Sequence, residues 1–226
     1  VVPRMEDVIG EVDAVIISTD DGADHVRRAR PFVEAGLPVF VDKPMATTLD
    51  ELKQFARWQR EGARILSSSG MRYAPEAAEL RGSEWRWLTS FTCKTWERYG
   101  IHALEPVYTV TGPGYLDVRT EAQDGSDLVH CRHTNGTQAT IAAIHDAVGS
   151  FGVIHAYGVT NHRTVAMRDT YSAFRGQLVA AVDWLRSGQD PYPFGETLEL
   201  MAILIAAIES REQKGKRIAV ASILDQ

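Results

Sequence analysis

Cysteine is nearly missing: Cys93 and Cys131 are the only two among 226 residues. That excludes a disulfide framework and a paired-cysteine zinc motif. Buried thiols in a reducing, cytoplasmic setting are the expectation. A basic excess is missing too, with 24 Lys and Arg against 30 Asp and Glu and a formal net charge of −6. Such a balance argues against a nucleic-acid or anionic-membrane partner, either of which favours a basic patch. No apolar run approaches the roughly 20 residues that span a bilayer. No signal peptide, low-complexity tract or short-period repeat is visible. No Met opens the chain and a strand-like run follows soon after, so the sequence reads as beginning inside a domain. His130, Cys131 and His133 are close in sequence, but strand alternation puts the two histidines on opposite faces. His145, His155 and His162 lack a ligand spacing. No metal site is expected.

What is present divides into two halves with different periodicity. In the first, Ala14-Val15-Ile16-Ile17 is a short β-branched run, as in a strand buried on both faces. Asp24 to Ala35 reads as a helix striped by Val26, Ala29, Phe32 and Val33, with Pro31 as a possible kink and Gly36 as its stop. Val39 to Val41 is the next strand. Thr48-Leu49-Asp50-Glu51 is a capping box that opens a helix from Leu49 to about Glu61, stopped by Gly62. Arg64 to Leu66 begins a third strand. Strands separated by single helices pair in parallel through right-handed crossovers.

The second half is mostly strand. Trp85, Trp87, Thr89, Phe91 and Cys93 alternate with Arg86, Leu88, Ser90, Thr92 and Lys94, giving a bulkier odd face. Further strands are expected over Leu116–Thr120, Asp127–His133, Thr137–Ile144, Gly152–Val159 and Thr164–Arg168. Turns are expected at Asp124-Gly125, Asn135-Gly136 and Gly149, the second being a strong hairpin signal. Two helical stripes close the chain: Tyr171, Phe174, Leu178, Val182 and Leu185, then Leu198, Ala202, Ile205 and Ile208. Both are expected to cover one sheet face. The fold class is therefore α/β plus α+β: a partial, doubly wound parallel sheet over residues 1–70, then an open, mainly antiparallel sheet over 71–226 with helices on one face. The uncovered face calls for a partner, so a homo-oligomer is expected.

Five motifs in this order carry a resemblance. They are Ser18-Thr19 with His25, Ala35 to Pro44 ending in Asp42-Lys43-Pro44, Gly70 to Pro75, Gly100-Ile101-His102-Ala103-Leu104-Glu105, and Gly215 to Ile218. The chain resembles the Gfo/Idh/MocA oxidoreductases, with Asp42 where that family usually has Glu and Asp20 where it usually has Pro. The resemblance implies a Rossmann unit, NAD or NADP as cofactor, and hydride transfer to or from a sugar, polyol or related small molecule. It implies cofactor contacts from Ser18, Thr19, His25, Asp42, Lys43 and Pro44. It also implies pairing of copies through the open sheet. Two departures stand out: the sequence has no Gly-x-Gly-x-x-Gly turn, and Arg98 stands where dehydrogenase members commonly have Asp before the catalytic His. These departures motivate an alternative, a non-catalytic relative acting as a sugar-binding, regulatory or scaffold protein.

The candidate chemistry centres on two side chains. Lys43 follows the C-terminal end of a parallel strand, where open α/β sheets bind ligands, and Pro44 holds it extended. His102 is the general acid–base candidate. Its helix is expected from His102 to Thr111, with Pro106 in the first turn, Glu105 orienting the ring and Arg98 opposing its protonation. Arg72, Tyr73, Trp96, Glu97, Arg98 and Glu105 are candidates for lining a sugar-sized pocket, aromatic faces covering C–H surface and charged groups taking hydroxyls or a carboxylate.

Overall fold

The computed structural model describes residues 1–147 and 151–225, so the turn expected at Gly149 lies outside the described residues. The β-branched runs form three short strands, β1 (Val15–Ile17), β2 (Val39–Val41) and β3 (Ile65–Ser67), paired in parallel in that order. The crossovers are α1 (His25–Glu34), which runs through Pro31, and α2 (Leu49–Arg60). The capping box forms as expected: Thr48 Oγ1 accepts from Glu51 N–H, and Glu51 Oε2 accepts from Thr48 N–H at 3.0 Å. Ala29, Phe32, Leu52, Phe55 and Trp58 from these helices join Val39, Val41 and Ile65 in the main core.

The opposite face of this sheet is the aligned row Ile16, Phe40 and Leu66. Phe40 and Leu66 are buried under Ala181 and Trp184, whereas Ile16 is 59% exposed. Two-sided burial therefore holds for β2 and β3 and fails at β1, because the covering helix reaches only two strands.

A short helix α3 (Pro75–Ala78) leads to the second sheet: β4 (Trp87–Cys93), β5 (Tyr115–Gln123), β6 (Ser126–His133), β7 (Gln138–Ile144), β8 (Val153–Tyr157), β9 (His162–Ala166) and β10 (Ile218–Ala219). The order is β10-β5-β6-β7-β4-β8-β9, antiparallel throughout except for the parallel pair β4–β7. Helix α4 (Ile101–Thr111) follows β4, while α5 (Thr170–Ser187), α6 (Phe194–Glu212) and α7 (Ala221–Leu224) come from the last part of the chain. Gly136, at φ 89°, makes the β6–β7 turn that Asn135-Gly136 announces.

The α6 stripe packs on the sheet: Thr120 Oγ1 donates to Ala207 O at 2.8 Å, and Ala202 and Ile205 are buried. The α5 stripe does not. Tyr171, Phe174, Leu178 and Val182 are exposed, and the buried side is Ala173, Gln177, Ala181 and Trp184. The reason is close docking. Gly176 lies so near Tyr73 that a Cβ there would sit 2.9 Å from the Tyr73 Cβ, and on the same side Gln177 Nε2 donates to Ser68 O at 2.6 Å while Trp184 packs on Phe40 and Leu66.

The odd face of β4 also faces outward. Trp87, Thr89 and Phe91 are half-buried on the helix-free side, while Leu88, Ser90 and Thr92 are buried beneath the helices.

Candidate functional site

Lys43 lies just past β2 with its side chain 9% exposed, its Nζ 3.2 Å from Asp20 Oδ1 and 3.6 Å from Asp42 Oδ2. The buried His25 ring fixes this strand end. Its Nδ1 is 2.9 Å from Pro44 O and its Nε2 is 3.0 Å from Thr19 O, tying the β2 exit to the β1 exit. Gly22 permits this closeness, since a Cβ there would meet Pro44 O at 3.0 Å. The Lys43–Pro44 peptide is cis. Ser18 is exposed, and the buried Thr19 Oγ1 has no hydrogen-bond partner among the described residues.

His102 comes from the other sheet's side of the molecule. A π-type turn at Trp96–Gly100 leads directly into α4 at Ile101. Pro106 therefore sits one turn inside the helix rather than in its first turn. Lacking an N–H, it makes no bond back to the His102 carbonyl. The His102 ring is 2% exposed. Its Nδ1 is 2.7 Å from Ser69 Oγ, and the rings of Tyr99 and Phe151 approach it edge-on at 4.8 and 5.0 Å. Burial first, then the ammonium groups of Lys43 and Lys94, pull its pKa down to about 3, so the ring is neutral at pH 7. The opposition to protonation expected of Arg98 thus comes from the two lysines. Arg98 itself is exposed.

Glu105 does not touch the ring. Its Oε2 accepts from Ser69 N–H at 2.6 Å and its Oε1 from Arg72 Nη1 at 3.2 Å, so any effect on His102 passes through Ser69. Burial pushes Glu105 up to about 7, against the pull of Arg72 and the Ser69 N–H. Arg72 also pairs with Glu196, and its guanidinium lies 3.5 Å from the Tyr192 ring centroid. With two carboxylates and an aromatic face engaged, Arg72 is a buried strut.

Lys43 and His102 converge on Tyr99: Lys43 Nζ is 5.1 Å from that ring's centroid, Lys94 Nζ is 3.9 Å from it, and His102 meets its edge. Trp96 and Glu97 are not brought there. Trp96 is a core residue whose indole N–H donates to Leu204 O at 3.0 Å, and Glu97 pairs with Arg211. Tyr73 packs against α5, and burial pushes its hydroxyl up to about 12. Sequence reasoning missed Ser69, Lys94, Tyr99 and Phe151. Ser69 had a usable signal, because Ser67-Ser68-Ser69 marks the C-terminal end of a parallel strand, where ligands gather. The other three depend on loops with no local pattern.

Two concavities flank the centre. One of about 310 Å³ runs beside β1 past Ile16, Ser18, Thr19 and Arg28. The other, about 800 Å³, follows the exposed side of α5 and reaches the site through Phe174, whose ring stands 5.7 Å from Phe151.

Residues 1–69 match the family model described as an oxidoreductase family with an NAD-binding Rossmann fold. No curated protein matches the chain. Among solved structures, it is similar to a myo-inositol dehydrogenase from Corynebacterium glutamicum at 13% identity and a TM-score of 0.78, over 96% of this chain and 84% of that one. It is similar to a myo-inositol 2-dehydrogenase from Lactobacillus plantarum at 12% and 0.79, over 96% and 84%. It is also similar to an oxidoreductase from Agrobacterium radiobacter, solved with NAD+, L-tartaric acid and magnesium, at 14% and 0.80, over 97% and 84%. At these identities the likeness is one of fold.

Proposed function

We propose that this chain, whose residues 1–69 match the Gfo/Idh/MocA model, is an NAD(P)-dependent oxidoreductase of that family acting on a sugar, polyol or related hydroxylated small molecule. The observation that carries this is the convergence of a buried Lys43 and a neutral His102 on Tyr99 at the C-terminal ends of parallel strands. The fold shared with the inositol dehydrogenases and with the tartaric acid complex supports a polyol or hydroxy acid as substrate.

The residues present fit the nicotinamide–ribose end of such a cofactor. Thr19 Oγ1 is a buried oxygen without a partner among the described residues at the β1 exit, and Lys43 Nζ offers a cation at the neighbouring β2 exit. A nicotinamide held there would supply the hydride acceptor or donor. In the reducing direction the Lys43 ammonium donates a proton from Nζ to the substrate carbonyl oxygen and is left a neutral amine, in the oxidising direction the neutral amine takes the hydroxyl proton, and Asp20 and Asp42 hold the side chain in place. Residues 1–70 form the cofactor unit and 71–226 the substrate and oligomerisation unit. Copies pair through the helix-free sheet face, where Trp87 and Phe91 are half-buried and Tyr157 and Ile144 are exposed.

The test uses the full chain with NADH and NADPH followed by fluorescence, then a sugar, polyol and hydroxy-acid panel followed by reduced-nicotinamide absorbance. Lys43→Met is expected to lower turnover at saturating cofactor by about 10²-fold or more, with any weakening of cofactor binding read separately by the fluorescence titration. No cofactor binding, or full activity in Lys43→Met, ends the reading.

A further inference from the structure

The hydrogen-bond partners of Ser69 decide which nitrogen of His102 carries the proton. Ser69 is fully buried, so its hydroxyl hydrogen needs an acceptor inside the protein. Ser69 Oγ already accepts the Met71 N–H at 3.0 Å. Its other close contact is His102 Nδ1 at 2.7 Å. If Nδ1 carried the proton, Ser69 Oγ would accept twice and its own O–H would be left buried without an acceptor among the described residues, at a cost of about 1–3 kcal/mol. If Nδ1 is bare, every group is satisfied: Met71 N–H donates to Ser69 Oγ, and Ser69 O–H donates to Nδ1. Ser69 is itself held by its N–H bond to Glu105 Oε2, which Arg72 anchors.

We infer that Ser69 locks His102 as the neutral Nε2–H tautomer, making the ring a hydrogen-bond donor to the substrate oxygen rather than the base that removes its proton. Ser69 is then a positioning residue, acting through His102. The exchanged proton falls to Lys43 Nζ, and the proton count on His102 stays constant through the reaction. The groups facing the ring are consistent with this. Tyr99 and Phe151 present ring edges, Lys43 and Lys94 add positive charge, and Glu105 is turned away toward Ser69 and Arg72. Among the described residues no carboxylate faces Nδ1 to favour an imidazolium, and Arg98 stands where the family resemblance places an Asp.

The functional consequence rests on the oxidoreductase reading; the tautomer does not. The test is NMR of the full chain with ¹⁵N-labelled histidine, in the absence of cofactor. The His102 ring is assigned by through-space contacts to the Tyr99 and Phe151 rings. The expected result is a bare Nδ1 and a protonated Nε2, unchanged between about pH 5 and pH 8. Ser69→Ala is expected to release the lock, giving both tautomers, and Ser69→Thr to restore it. A protonated Nδ1, a ring that titrates in that window, or a Ser69→Ala spectrum identical to wild type overturns the proposal. The wild-type spectrum alone decides the tautomer if a variant fails to fold. Lost nicotinamide binding with the Nε2–H tautomer intact would sink the oxidoreductase reading and leave this one standing.

Discussion

Arg72 Nη1 stands 3.2 Å from Glu105 Oε1, and that buried pair supports the Ser69 backbone from which the His102 ring is held. Removing one partner of a buried pair leaves the other charge uncompensated, which costs about 3–5 kcal/mol. Arg72→Met should therefore lower stability most near pH 8, where wild-type Glu105 is charged, with about that amount as the ceiling, because without Arg72 the buried carboxyl is pushed further up and takes a proton instead. Near pH 5 the loss should shrink, because Glu105, raised to about 7, is then protonated and neutral. Urea unfolding at the two pH values checks this, and an Arg72→Met chain as stable as wild type at the higher pH would show that the pair carries no weight.

His102 and Glu105 pull the pH dependence of stability in opposite directions. The folded pKa of His102 is depressed from 6.5 to about 3, so the unfolded chain binds the extra proton between those values. Its contribution is full above about 6.5 and is lost as pH falls toward 3, up to roughly 5 kcal/mol at about 1.36 kcal/mol per unit. Glu105 is raised from 4.5 to about 7, so its contribution is full below 4.5 and is lost as pH rises toward 7. The two oppose each other from about 4.5 to 6.5, and below that only His102 of the pair contributes a slope. Compared with wild type, His102→Asn should lose less stability on acidification from about pH 6.5 to pH 3. Parallel wild-type and variant curves over that range would contradict the buried neutral ring.

Gly176 should be intolerant of alanine despite its place in a helix. In an exposed helix Gly→Ala gains about 0.8–1.0 kcal/mol. Here the added Cβ would meet the Tyr73 Cβ at 2.9 Å, in the docking of α5 against the Gly70–Tyr73 turn. The expected net effect is a loss of about 1–3 kcal/mol. Thermal melts decide it, with a gain in melting temperature counting against close docking.

The helix-free sheet face gives a prediction on assembly. Trp87 and Phe91 are half-buried there in a single copy. Wild type should run as a dimer or larger in light scattering at micromolar concentration, and Trp87→Asp with Phe91→Asp should shift it toward monomer while keeping the far-UV spectrum. A monomeric wild type would remove the sheet-face interface.

The sequence alone determined the parallel β-α-β-α-β unit, because β-branched runs, a complete capping box and glycine stops are local signals read within a few residues. It also determined that Lys43 stands at a strand exit, since the strand end and Pro44 are adjacent in the chain. The β6–β7 hairpin followed from Asn135-Gly136 for the same reason. Tertiary structure decided which helix side is inside. The bulky stripe of α5 predicts burial by its period, yet Ala173, Gln177, Ala181 and Trp184 went in: Gly176 lets the helix approach Tyr73, Gln177 donates to Ser68 O, and Trp184 covers Phe40 and Leu66. It also replaced the expected Glu105–His102 contact with a path through Ser69, 33 residues from the ring in sequence. Spacing along a helix sets which faces two side chains share. What lies between them comes from another strand's end, and that depends on how the two sheets meet.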